Sequence, residues 1–223
     1  MTTSDAGGSM PRWGPVKEPM TVLTNLILGG LAFVLGVRLA YAAAANGIAS
    51  DTALAFGFEA TAIAAVLGAA AHGLDPVVDR EQRLRCWRAT LYASGFISAA
   101  SIASVAFFAA RGATRTAILA FAGLKLLAFL IRVARRPEFR VAAADYGGGL
   151  AVVLAGAVYA LAAWRAPAAP WLIAGVLVSL IAGLVQARRV SLHRHFNHND
   201  LFHVIQLIAL YLVYRGGALL VDR

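Results

Sequence analysis

Three histidines, His72, His198 and His203, stand beside carboxylates and amides in a chain otherwise poor in polar residues. His72 is followed by Asp75 and Asp79, and His198 and His203 bracket Asn199 and Asp200. Neutral imidazoles with carboxylates suit Zn²⁺, which in catalytic sites takes three protein ligands and keeps a fourth position for a water whose pKa it lowers to about 7. Hydrolysis is the chemistry such a set would do. Spacing then sorts the candidates. Asn199 and His203 are four apart and Asp200 and His203 three apart, so each pair shares a helix face, whereas His198 and His203, five apart, would point about 140° away from each other. His198 is a partner only if it precedes the helix. The candidate metal ligands are therefore His72 and His203 with one of Asp200 or His198. Asn199 or Asp200 has a competing use, as the cap of a helix that starts there.

The elements that must position these residues follow from composition. Of 223 residues, 60% are hydrophobic and 14% charged, and the mean hydropathy is +0.72, far more apolar than a water-soluble domain of this size tolerates. An apolar run of about 20 residues, at 1.5 Å per residue, crosses a hydrocarbon core of about 30 Å. Seven runs fit, at 21–45, 53–71, 86–110, 116–133, 141–164, 170–185 and 201–221. The expected fold is an all-α integral membrane protein, a seven-transmembrane-helix bundle forming one domain over 16–223. Residues 1–15, rich in Gly, Ser, Thr and Pro, are expected to be a flexible tail.

The formal net charge of +9 is divided unevenly. Arg12, Lys17, Arg80, Arg83, Arg85, Arg132, Arg135, Arg136, Arg140, Arg188, Arg189 and Arg194 fall on one side of the seven spans, against Arg111, Arg115, Arg165, Arg215 and Arg223 on the other. The positive-inside rule then places the N-terminus in the cytoplasm and the C-terminus outside. Because the arginines border apolar spans, the high pI calls for no nucleic-acid partner; the expected partners are membrane lipids. On this topology Glu18, Thr24, Asn25, His72, Asp75, Asp145, His198, Asn199, Asp200 and His203 all lie near the cytoplasmic face, so several helix ends bring polar groups to one depth. Glu18, Thr24, Asn25 and Asn199 complete a structural polar cluster.

These residues resemble those of the CREST-type seven-helix membrane hydrolase superfamily, which contains the alkaline ceramidases, the adiponectin and progestin receptors and the hemolysin-III-type proteins. Its members open with Glu, then Asn three on, then Ser or Thr followed by Asn or His; here stand Glu18, Thr21, Thr24 and Asn25. A His ends the second helix with a Ser four residues earlier and an Asp shortly after; here stand His72, Gly68, and Asp75 or Asp79. A His-x-x-x-His pair with an aromatic before its second His starts helix seven; here Asn199, Phe202 and His203 take those places. The stretch 197–203 is similar to a bacterial branch of the superfamily, which implies a bacterial inner (plasma) membrane. The resemblance implies bound zinc and hydrolysis of an amide or ester bond in a lipid-like substrate. Asp75, Asp79 or Asp145 would then orient or deprotonate the water.

The remaining polar residues admit plainer readings. Cys86 is a small buried side chain, since one cysteine makes no internal disulfide. Glu59 enters the second helix from the outer face, apart from the cluster, and Lys125 is a snorkelling or paired lysine rather than a Schiff-base amine. Helix seven has no lysine, which argues against a retinal protein. The competing function is a non-catalytic receptor-like or scaffold protein whose polar cluster only fixes helix packing.

Overall fold

The computed structural model describes residues 12–13, 16–74 and 78–223. Seven helices form: α1 (Pro19–Asn46), α2 (Ala49–Gly73), α3 (Arg80–Ala109), α4 (Gly112–Arg135), α5 (Phe139–Trp164), α6 (Ala169–Ala187) and α7 (His198–Gly217). The first six are long and apolar enough to cross a membrane. The seventh has 20 residues, a length of about 30 Å. It carries His198, Asn199, Asp200, His203, Gln206 and Arg215, and it does not join the six. The expected tail falls outside the described residues, except that β1 (Arg12–Trp13) pairs antiparallel with β2 (Val16–Lys17).

Local chemistry sets the helix ends. Gly47 closes α1 at φ 68°, a left-handed conformation that glycine adopts without strain, and α2 begins two residues later. Helix α3 starts six residues before the apolar run because Asp79 and Gln82 form a capping box ahead of the charged segment Arg80–Arg85. That first stretch stands outside the bundle, so Cys86 is half-buried rather than buried.

Helices α1, α2, α3, α5, α6 and α7 pack in that order into a ring closed by α7 on α1, and α4 lies outside it, against α3 and more lightly against α5. The outer surface is apolar, with Leu26, Phe33, Phe56, Leu124, Tyr159 and Ile181 all exposed, as lipid would require. Inside the ring, Leu39, Leu54, Phe108, Leu172 and Leu220 share an apolar core toward the end where α1 gives way to α2. At that end Asp222 caps α2, accepting the backbone N–H groups of Ala49 at 2.7 Å and Ser50 at 3.0 Å. Polar side chains occupy the opposite end.

Candidate functional site

Helices α1 and α7 both begin at this polar end and meet through two ladder-like contacts. The Thr21 hydroxyl donates to Asp200 Oδ1 at 2.8 Å, and Thr24 Oγ1 lies 3.0 Å from His203 Nδ1. Both pairs have the same sequence separation, 179 residues, so the two helices run parallel here. Each pair is one turn from the other on both helices, which is why residue types three apart on α1 find residue types three apart on α7.

Asp200 is 1% exposed. Its second oxygen accepts the Asn197 backbone N–H at 2.7 Å, while Asn197 Oδ1 accepts the Asn199 N–H at 2.7 Å. Asn197 and Asp200 thus form a capping box, and α7 starts at His198. A buried carboxylate with both oxygens occupied by donors from its own chain is a structural anchor.

The hydroxyl of Thr24 also lies 3.2 Å from the Thr21 carbonyl, to which it donates. A hydroxyl has one proton, so Thr24 can only accept from His203, and the ring must carry its proton on Nδ1. In the neutral ring the lone pair is then on Nε2, which makes no hydrogen bond among the described residues. His72 repeats the arrangement: its Nδ1 lies 3.1 Å from Glu18 Oε2, an ionised oxygen that can only accept. Glu18 sits just ahead of α1, and the hydrogen bond from His72 holds its carboxyl below the usual range against the opposing pull of burial. Asn25 completes the group, donating to the Thr21 carbonyl at 3.0 Å. A Cβ at Gly68 would stand 3.3 Å from Asn25 Oδ1, so the small residue on α2 makes room for that amide.

A family model described as "Family of unknown function (DUF6962)" matches residues 20–222. The chain belongs to this family. No curated protein and no solved structure matches it. The match covers all but the first residue of the helical bundle, so Thr21, Thr24, Asn25, His72, Asp200 and His203 all lie inside the DUF6962 region.

In this DUF6962 chain the site residues read from sequence divide into three groups. Glu18, Thr24, Asn25, His72, Asp200 and His203 lie at one end of the bundle. His198 is the first residue of α7, inside the helix rather than before it. Asn199 does not cap α7; its Oδ1 accepts from Gln186 Nε2 at 2.7 Å, tying α6 to α7. Two of the three proposed water-handling carboxylates have other partners. Asp79 is exposed and caps α3, accepting the Gln82 N–H at 2.7 Å. Asp145 pairs with Lys125 at 2.6 Å, so Lys125 is the paired lysine anticipated. Asp75 lies outside the described residues. Among the described residues no group of three or more His, Cys, Asp or Glu side chains is placed to hold a metal ion.

Sequence reasoning missed three contributors. Thr21 stood only as a departure from a motif, yet it holds Asp200. Asn197 carries a readable signal, a strong N-cap residue three positions before an acidic one. Gln206, one turn beyond His203, accepts from Ser179 at 3.1 Å and extends the polar group inward toward Tyr146, a contact no local pattern announces.

Proposed function

We propose that this DUF6962 chain is an integral membrane hydrolase acting on an amide or ester bond of a lipid-like substrate, with a zinc ion held by His72 and His203 at the cytoplasmic end of the bundle. The observation that carries the reading is the pair of oriented imidazoles, each fixed through Nδ1 and each leaving Nε2 for a ligand. Metal-binding histidines are typically held this way by a carboxylate or another acceptor behind the ring. The resemblance to the seven-helix membrane hydrolases adds to it. The donor set fits at two nitrogens, whereas both Asp200 oxygens already accept hydrogen bonds from Thr21 and Asn197, and among the described residues no third side chain is placed to complete a metal site.

When bound, zinc would polarise a carbonyl and lower the pKa of a coordinated water. The chain's own residues do the positioning. Glu18 orients His72, Thr24 orients His203, and Thr21 with Asn197 locks Asp200 so that the first turn of α7 cannot swing away from α1. The substrate would enter from the lipid, which the apolar outer surface contacts directly. Metal analysis of protein purified without chelator tests the reading: the expected result is about one zinc per chain, lost in His72→Ala and in His203→Ala. Wild-type protein free of any metal would overturn it.

A second reading is favoured by the saturation of Asp200. If the cluster serves only to join α1 to α7, the protein is a non-catalytic receptor-like or scaffold protein. His203→Ala would then lower thermal stability and leave both metal content and lipid turnover where they were.

A further inference from the structure

Two opposite charges lie within the membrane-spanning part of the bundle, away from the polar end. Glu59 is ten residues into α2 and Arg38 is eight residues before the end of α1, which places them about 15 Å and about 12 Å from the same end of the bundle. A direct contact fixes their common depth: a Cβ on Gly36 would stand 2.6 Å from Glu59 Oε1, and Arg38 is two residues on from Gly36. Glu59 Oε1 is buried without a hydrogen bond. Arg38 is exposed, and neither residue makes an ion pair among the described residues. Ionised groups at such a depth are costly unless they meet each other.

They cannot readily meet within one chain. Glu59 lies in the groove between α1 and α2, on the Gly36 edge of α1, and two further residues at 3.6 per turn carry Arg38 about 200° round the helix, to its other edge. Between these edges α1 presents Leu26, Phe33, Val34 and Gly30 to the outside. A Cβ on Gly30 would meet nothing within 4 Å, so a neighbouring helix can come close there.

We propose that a second copy of this chain, inserted the same way round, docks on this face of α1, with Glu59 of each copy paired to Arg38 of the other. A two-fold axis along the membrane normal keeps depth and exchanges the two edges, so a charge on one flank faces its opposite on the other copy, and the contact is made twice. The apolar strip between the flanks then packs against itself.

The test uses full-length chains carrying donor or acceptor fluorophores in phosphatidylcholine vesicles. Wild-type chains are expected to show energy transfer that depends on the protein-to-lipid ratio. Glu59→Arg alone and Arg38→Glu alone are expected to weaken it at least about tenfold, because each self-pair sets like charges together. Mixing the Glu59→Arg chain with the Arg38→Glu chain is expected to restore it, since that mixed pair regains both contacts. Wild-type chains that stay monomeric would overturn the proposal. So would a mixture no better than its components, the outcome if Arg38 reaches lipid headgroups. Should the reversed chains fail to accumulate in the membrane, Glu59→Gln and Arg38→Gln decide: weakened association in each supports the interface, and wild-type association in both overturns it.

Discussion

Thr24 Oγ1 stands between two partners, 3.0 Å from His203 Nδ1 and 3.2 Å from the Thr21 carbonyl, and its single proton goes to the carbonyl. The histidine is therefore the donor in the first contact. Thr24→Val keeps the shape and removes the acceptor, leaving a buried N–H unsatisfied at a cost of about 1–3 kcal/mol. Thr24→Ser keeps the oxygen and should stay close to wild type. Thermal unfolding in detergent separates the two variants, and equal midpoints would mean that the ring does not depend on Thr24.

Asp200 offers a sharper division between an anchor and a ligand. Both of its oxygens are taken, one by Thr21 and one by the Asn197 N–H. Asp200→Ala removes both bonds together with half of the capping box and is expected to destabilise the protein by about 1–3 kcal/mol. Its zinc content should remain that of wild type. Loss of zinc at unchanged stability would instead make Asp200 a ligand.

The Glu18–His72 contact gives a dependence on pH with a definite sign. The folded carboxyl titrates below its ordinary value of 4.5, chiefly because of the hydrogen bond from His72. The unfolded chain then binds this proton more readily, so the contribution is fully present above the ordinary value and is lost as the pH falls through the lowered folded one. Glu18→Gln removes it at every pH. Wild type should therefore be more stable than Glu18→Gln near neutrality, by no more than about 1 kcal/mol for a partly solvated pair. The gap should close as the pH is taken below 4.5. A gap that does not change with pH would show that the carboxylate charge contributes nothing.

The same residues show why some of this was readable in advance and some was not. Apolar runs of bilayer length are a one-dimensional signal, and all seven became helices within a few residues of the expected limits, apart from the earlier start of α3 and the ends of α7. The early starts of α3 and α7 come from caps, Asp79 with Gln82 and Asn197 with Asp200, which carry a helix into polar sequence, whereas α7 stops early at Gly216 and Gly217. The gathering of Glu18, Thr24, Asn25, His72, Asp200 and His203 at one end was legible because helix direction alternates along the chain. Partner choice within that end was not. Thr21 and Asp200 are 179 residues apart, and only packing of α7 on α1 decides that Thr21 takes the carboxylate. Asp145 likewise has the right depth from sequence, and its side chain turns to α4 because Lys125 is there.

That last pair is a strong test of what holds α4. Lys125 Nζ lies 2.6 Å from Asp145 Oδ1 and 2.7 Å from Ser98 Oγ, and Ser98 in turn donates to the Asp145 main-chain carbonyl at 3.2 Å. Side-chain exposures are 16% for Lys125 and 9% for Asp145, so neither charge is freely hydrated. Helix α4 lies outside the ring with only Ala122, Phe129 and Val133 buried, which leaves it few apolar contacts to rely on. Lys125→Met strands a buried carboxylate and is expected to cost about 3–5 kcal/mol, whereas Lys125→Met with Asp145→Leu should return to within about 1 kcal/mol of wild type. Hydrogen exchange along α4 should rise in the single variant and fall back in the double. If the double variant is as unstable as the single, α4 is held by the ion pair itself rather than by the packing around it. If it is stable but has lost lipid turnover, Asp145 belongs to the chemistry after all, and its bond to Lys125 is a resting contact that the reaction must break.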